Sequence, residues 1–252
     1  MTVPSYDEYK TYFGRFYIIT PFYKTLTDER TTAEVEQLIG LCRFSAADLI
    51  LDHGCGQGRH VLGLRDRGYR IIGLDYSRTL LRVAGLGARK QGREASFVRA
   101  DMISLPLSDS TFDWVLSLFG SFGYLDDQAN MTVLDEISRI LKPGGKTLLE
   151  LWNKDYALRS DGRSSRHDLE DGDYLIQRYD YSPDTRRMTV TRQYFIEDRE
   201  DVSSVSYRLF SVTELAGLLE SSGFEIVEKL GGLDSKTLNE DCRSQVLIVR
   251  KQ

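Results

Sequence analysis

The stretch Leu49-Ile50-Leu51-Asp52-His53-Gly54-Cys55-Gly56-Gln57-Gly58-Arg59-His60 reads as an apolar strand, a glycine-rich turn and the start of a helix. In an open α/β sheet, ligands bind beyond the carboxyl ends of the strands, and glycine lets the backbone approach them closely. The next strand ends in Gly73-Leu74-Asp75-Tyr76, which puts a carboxylate at the offset from the turn where an acidic side chain meets a ribose diol. The combination predicts an adenosine-containing ligand, although the turn by itself would also suit a tight strand-to-helix joint. Two departures bear on the ligand's charge. A dinucleotide fingerprint needs a further glycine where Arg59 or Val61 stands, and no Gly-Lys-Ser/Thr phosphate loop is present. Asp52, just before the turn, would repel a pyrophosphate and favour a cation, directly or through ordered water.

Other reactive side chains are fewer. The histidines His53, His60 and His167 have no metal-ligand spacing, and Cys42, Cys55 and Cys242 are odd in number, far apart and in no Cys-x-x-Cys arrangement. Neither a disulfide framework nor a thiolate zinc site is expected. The first 43 residues hold Tyr6, Tyr9, Tyr12, Phe13, Phe16, Tyr17, Phe22 and Tyr23. Their ring faces could meet a cation, or they could simply strap the arm to a core.

The elements that must position these groups alternate from about residue 48. Strands are predicted at Asp48–Gly54, Tyr69–Tyr76, Ala95–Asp101, Phe112–Phe119 and Lys146–Trp152, with helices at Arg59–Arg67, Thr79–Lys90 and Asp127–Leu141. This is the pattern of parallel strands joined by helical crossovers. The Lys142-Pro143-Gly144-Gly145 stop separates the last helix from its strand. A capping box at Ser211–Glu214 opens a helix to about Ser222, and strands follow at Phe224–Leu230 and Ser244–Arg250. A second capping box, Thr31-Thr32-Ala33-Glu34, predicts a helix through about Leu41. Residues Tyr174–Tyr181, Arg187–Ile196 and Val202–Phe210 alternate around the turn Ser182-Pro183-Asp184, which predicts an antiparallel ribbon inserted over the sheet's active edge. The expected division is an aromatic helical arm or lid at 1–43, a nucleoside-binding core at 44–152 and 208–252, and an inserted substrate cap at 153–207.

Composition narrows the partners. The 252 residues carry 33 Lys and Arg against 38 Asp and Glu, a formal charge of −5, which is the wrong sign for affinity built on neutralising phosphates. A basic face on the second crossover helix (Arg82, Arg89, Lys90, Arg93) reads more simply as solvated surface. The hydrophobic fraction of 41% without any run near the roughly 18–20 residues of a membrane span predicts a soluble folded chain with no membrane partner. The amino terminus shows no basic region followed by an apolar core, so a cytoplasmic setting is expected. The acidic balance favours a neutral or basic acceptor over an anionic one.

Asp52-His53-Gly54-Cys55-Gly56-Gln57-Gly58 resembles the first motif of class I S-adenosylmethionine-dependent methyltransferases, with His53 where that family often has a small or apolar residue. Gly73–Ser77 resembles their ribose-binding strand end, Arg99–Pro106 their adenine-binding segment, Phe112–Phe119 their fourth-strand motif, and Leu141–Lys146 the turn before strand five. The similarity covers roughly 30–152 and 208–252. It implies a Rossmann-like, seven-stranded, mostly parallel sheet flanked by helices, here with the antiparallel β insertion as a cap. The arm, the insertion and Phe119–Leu125 look most like small-molecule methyltransferases, including glycine/sarcosine-type, amino-sugar and other secondary-metabolism N-methyltransferases.

The resemblance implies roles residue by residue. The backbone of Gly54 and Cys55 would approach the methionyl part, with Asp52 and the Leu118 carbonyl at its ammonium and Gly56 also among the cofactor-binding residues. Asp75 would accept the ribose hydroxyls, Tyr76 would lie against adenine, Asp101 would take its amino group, and the Met102 amide would donate to a ring nitrogen. Methyl transfer from a sulfonium is an in-line displacement, so alignment and exclusion of water matter more than strong acid chemistry. Tyr17, Tyr124 and His167 are the candidate catalytic groups, with Ser121, Tyr9 and Tyr12 as further polar neighbours. Asp126 and Asp127 look like a helix cap rather than metal ligands, so no metal is expected. The expected activity is methyl transfer to a small-molecule amine, giving S-adenosylhomocysteine. An O- or C-methyltransferase, or a cofactor-binding protein without turnover, are the alternatives, and a homo-oligomer is compatible with the exposed arm.

Overall fold

The computed structural model describes residues 12–197, 199–234 and 236–252. Tyr6 and Tyr9 lie outside the described residues. An irregular turn at Tyr12–Phe16 leads into α1 (Pro21–Lys24) and α2 (Asp28–Cys42). The core then alternates β1 (Leu49–His53), α3 (Arg59–Asp66), β2 (Arg70–Asp75), α4 (Arg78–Lys90), β3 (Ser96–Arg99), β4 (Phe112–Ser117), α5 (Asp127–Ile140) and β5 (Leu141–Trp152). After a short α6 (Lys154–Leu158) come β6 (Ser164–Asp168), β7 (Tyr174–Ser182), β8 (Arg187–Ile196) and β9 (Arg199–Arg208). The chain closes with α7 (Val212–Ser221), β10 (Phe224–Leu230) and β11 (Ser244–Lys251).

Seven strands form one sheet in the order β10-β11-β5-β4-β1-β2-β3. Strands β1 to β5 are mutually parallel, and β11 runs antiparallel to both β5 and β10. The order reverses at β1 and β4, so the carboxyl ends of these neighbours form the crevice where such sheets bind ligands. Alternate residues of the buried strands serve opposite faces. Leu51 and Val115 pack with Val133, Leu134, Ile137 and Ile140 of α5 and Leu215 and Leu219 of α7. Ile50 and Leu116 pack with Val35 and Leu38 of α2 and Val61 and Leu64 of α3. Each such fully buried aliphatic side chain contributes roughly 1.5–3 kcal/mol, which fixes the strand register and hence the positions of the strand ends. No helix among the described residues is long and apolar enough to cross a membrane.

The second sheet is antiparallel, ordered β6-β7-β8-β9. Its inner face carries Met188, Val190 and Val205, which pack with Tyr12 of the arm and Ala157 of α6. Strand β6 was not foreseen, because Ser164-Ser165-Arg166-His167-Asp168 has no apolar alternation and is a strand only by pairing with β7. Strand β9 runs from Arg199, three residues ahead of the predicted span, since its ends follow pairing with β8 rather than its own apolar residues.

The proposed capping box at Thr31–Glu34 is overturned. Helix α2 starts a turn earlier, with Thr27 Oγ1 accepting the Arg30 amide at 3.2 Å. Thr31 donates its hydroxyl back to the Thr27 carbonyl at 2.9 Å, and Glu34 is buried and serves the site below. By contrast, Ser211 and Glu214 form the reciprocal capping box expected for α7.

Candidate active site

Above the carboxyl ends of β1, β2 and β4 lies a cavity of about 880 Å³. The core sheet supplies its floor, the arm one wall, and the antiparallel sheet the other. Asp52, Gly54, Cys55, Gly56, Asp75, Tyr76, Met102 and Leu118 all line it, and so do Tyr17, Tyr124 and His167. The structure therefore brings eleven of the twelve sequence candidates to one space. The exception is Asp101, which is not among the lining residues; its Oδ1 accepts the Ile103 amide at 3.1 Å, forming a local turn beside Met102.

The glycine turn is held by β2. The amides of Gly54 and Cys55 both donate to the Leu74 carbonyl, at 2.8 and 2.9 Å, so neither N–H points at a ligand. Gly54 has φ +89°, and a Cβ there would lie 2.6 Å from Ser121 Oγ and 3.0 Å from Met102 Cε. The turn thus keeps an open floor because residue 54 has no side chain. Asp75 shapes the same turn: Oδ2 accepts the Gly56 amide at 2.8 Å and Oδ1 the Ser77 amide at 2.7 Å. Each carboxylate oxygen retains a second lone pair, the capacity a diol needs. Burial pushes the Asp75 carboxyl above its ordinary range, against the pull of these amides.

Asp52 is 1% exposed and its Oδ2 has no hydrogen-bond partner among the described residues. Burial pushes it up to about 7, with Arg59 opposing and Asp75 adding to the rise. A buried carboxyl oxygen left without a partner is costly unless a ligand satisfies it. The Leu118 carbonyl, by comparison, already accepts from the amide and hydroxyl of Ser121, at 3.2 and 2.8 Å.

A cationic cluster on this side escaped the sequence reading. Glu34 accepts from Arg30 Nε at 2.8 Å and from Arg59 Nη1, and it meets His60 Nε2 at 3.2 Å. Its carboxyl is held down at about 2 by His60, Arg59 and Arg30, which outweigh the upward effect of burial. Arg59 Nη2 is buried without a partner among the described residues, and the guanidinium lies 4.3 Å from the Phe119 ring centroid. His60 is kept at about 4 by burial, hence neutral at physiological pH. Only the position of Arg59 next to the last glycine of the turn could have signalled this role. Phe119 itself has φ +54°, a left-handed conformation, and its amide donates a hydrogen bond to Glu150 Oε2 at 3.2 Å.

The arm closes the other side. Ser77 Oγ donates to the Phe13 carbonyl at 2.5 Å, fastening the arm to the start of α4. Phe13 meets Tyr124 edge-on at 5.0 Å and Tyr17 at 5.6 Å. Burial raises the Tyr17 phenol well above its ordinary value, so it stands as a neutral hydrogen-bond donor and ring surface rather than a base. His167 sits on β6 with Nε2 2.9 Å from Ser165 Oγ. His53, whose unusual type was noted above, is buried beneath the turn, and burial keeps it neutral at about 4.

Residues 50–145 match the family model described as a methyltransferase domain. The demethylmenaquinone methyltransferase of Thermus thermophilus is 33% identical over 113 residues, 44% of this chain and 50% of that protein. The chain spans about half the length of most curated relatives it matches. Among solved structures, an S-adenosylmethionine-dependent methyltransferase from Clostridium acetobutylicum is similar with a TM-score of 0.79 at 14% identity, covering 94% of this chain and 96% of that one. The sugar N-methyltransferase KedS8 from a Streptoalloteichus species is similar with a TM-score of 0.67 at 19% identity, covering 100% and 94%. Residues 50–145 thus resemble a methyltransferase domain, and the fold of nearly the whole chain is shared with solved S-adenosylmethionine-dependent methyltransferases.

Proposed function

We propose that this chain transfers the methyl group of S-adenosylmethionine to a small-molecule acceptor, with an amine nitrogen as the favoured acceptor atom. The observation that carries this reading is the buried Asp52 Oδ2, without a partner among the described residues, in the same cavity as Asp75 and above a turn with no side chain at residue 54. When bound, S-adenosylmethionine supplies a methyl group already activated on a sulfonium. The residues present fit it: Asp52 would accept from its ammonium, Arg59 or Arg30 would pair with its carboxylate, Asp75 would accept from the ribose hydroxyls, and Tyr76 and Met102 would flank the adenine.

The rest of the cavity aligns and dries the acceptor. Tyr12, Phe13, Tyr17 and Tyr124 form an aromatic wall against which a positive charge is also favoured. An amine acceptor gives up its proton to water or to His167 on the cap side. In this division of labour 1–43 acts as the lid, 44–152 and 208–252 hold the cofactor, and 153–207 selects the acceptor. The amine preference is supported by the end-to-end match with a sugar N-methyltransferase fold. The menaquinone relative aligns over less than half of this chain, so it says little about the acceptor wall.

Calorimetric titration of S-adenosylmethionine tests the reading. Saturable binding is expected, weakened about tenfold to a hundredfold in Asp75→Ala, the range for losing hydrogen bonds to a charged acceptor. Folded wild-type protein that binds no S-adenosylmethionine would sink the proposal.

The pH dependence has a definite sign. A ligand ammonium needs the ionised form of Asp52, which burial holds back until about pH 7. Affinity is therefore expected to rise with pH, by up to about tenfold per unit between about pH 5 and 7, and to level off above. Stability of the ligand-free chain moves oppositely. With its folded pKa above the ordinary 3.8, Asp52 binds an extra proton in the folded state across the window from there to about 7, so its contribution to stability falls as pH rises. Titrations repeated on Asp52→Asn should lose this slope; a slope that persists unchanged assigns the titration to another group.

A further inference from the structure

The cap side of the cavity contains a buried guanidinium whose partners are all neutral. Arg192 on β8 is 7% exposed. Its Nε donates to Gln177 Oε1 at 2.5 Å and its Nη1 to the Tyr12 hydroxyl at 2.7 Å, and no hydrogen bond or ion pair among the described residues uses Nη2. Arg187, on the same strand and also buried, shows what a structural guanidinium receives here. It donates to Ser206 Oγ and to the carbonyls of Leu125, Gly123, Tyr124 and Ser206, so that all three of its nitrogens are used. Arg192 has two bonds and faces a cavity.

Among the described residues, the lining around it adds no negative charge. The acids that line the cavity are Asp52 and Asp75, both on the core sheet at the glycine turn. On the cap side the lining residues with Arg192 are uncharged, among them Tyr12, Gln177, Tyr179, Val190, Val205 and Tyr207. Burial raises the phenols of Tyr12 and Tyr207, keeping them as neutral donors. Because the Tyr12 oxygen accepts from Arg192, its own proton is available to a ligand atom beside the guanidinium. A second arginine, Arg243, lines the cavity with its guanidinium 5.0 Å from the Trp152 ring centroid. A buried cation is stable when an anion or a full set of acceptors compensates it.

We infer that the methyl acceptor carries an anionic oxygen group, a carboxylate or a phosphate, bound by Arg192 together with the Tyr12 hydroxyl. The inference rests on the methyl-transfer reading, and an amine acceptor that satisfies both is zwitterionic. It reverses the expectation drawn from the net charge of −5, because the charge that an acceptor meets is that of the cap pocket and not of the whole surface.

The test titrates benzoate, phenyl phosphate and uncharged benzamide into the full chain loaded with S-adenosylhomocysteine. One or both anions should bind at least about tenfold more tightly than benzamide, and the one preferred identifies carboxylate or phosphate as the source. In Arg192→Met that binding should fall about tenfold to a hundredfold while affinity for S-adenosylhomocysteine is unchanged. Equal binding of benzamide, no binding of either anion, or anion binding that survives in folded Arg192→Met overturns the inference. Should Arg192→Met not fold, Arg192→Lys keeps the charge without the planar fork; it should still prefer the anion, at reduced affinity, and loss of that preference also overturns the proposal. Failure of the wild type to bind S-adenosylhomocysteine would instead strike at the cofactor reading.

Discussion

Gly54→Ala should weaken S-adenosylmethionine binding by roughly a hundredfold or more, the largest effect expected of any single methyl group added to this chain. Two costs combine. At φ +89° a side chain is strained by about 1–3 kcal/mol, and the new Cβ would stand 2.6 Å from Ser121 Oγ and 2.7 Å from its Cβ. Ser121 cannot swing aside freely, because its hydroxyl donates to the Leu118 carbonyl at 2.8 Å. Relief of the contact must then displace the turn relative to Ser121, along with the Gly56 amide that Asp75 holds. Calorimetry on Gly54→Ala measures the sum, and adding Ser121→Gly in the same chain should recover only the steric part. Wild-type affinity in Gly54→Ala would show that the floor of the cavity lies elsewhere.

Arg187→Met is expected to cost about 1–3 kcal/mol of stability, the range for buried neutral acceptors that lose their donor. The guanidinium gathers the carbonyls of Gly123, Tyr124 and Leu125 and ties them to Ser206 on β9, so it clamps the loop after β4 to the antiparallel sheet. With Met at 187 all four carbonyls lose this donor, although Gly123 keeps the Arg208 amide at 2.8 Å and Leu125 keeps Asn130 Nδ2 at 2.9 Å. Urea unfolding should show a lower midpoint at an unchanged slope. Arg187→Lys should recover little, since one ammonium cannot reach acceptors spread around a planar fork. Because Tyr124 lines the cavity, acceptor selectivity should loosen along with stability. A midpoint within experimental error of wild type would mean that the clamp is dispensable.

How much of this was legible in the sequence depends on how local the determinants are. The strand ends that carry Asp52 and Asp75, the glycine turn and the capped helices were readable because each is a contiguous segment. A run of apolar residues, a φ that only glycine tolerates and a hydroxyl three residues from an acid all act within a few positions. The same locality misled at Thr31–Glu34. The pattern of a capping box was present, but Thr27 caps the helix and Glu34 is drawn instead to Arg59 and His60 on α3. Polarity hid β6, whose five residues pair with β7 without any alternation of their own.

The sequence by itself determined the order of the core elements, the turn and the two carboxylates that a nucleoside with a positive charge would meet. Tertiary structure decided the acceptor side. Arg192 finds Tyr12 across 180 positions, Ser77 fastens Phe13 across 64, and Arg187 reaches the loop after β4 across more than 60. Such contacts leave no periodic trace in the chain, because they depend on where two sheets and an arm come to rest against each other. The charge felt by an acceptor is set by those few buried neighbours, in a low-dielectric pocket where the surface total counts for little.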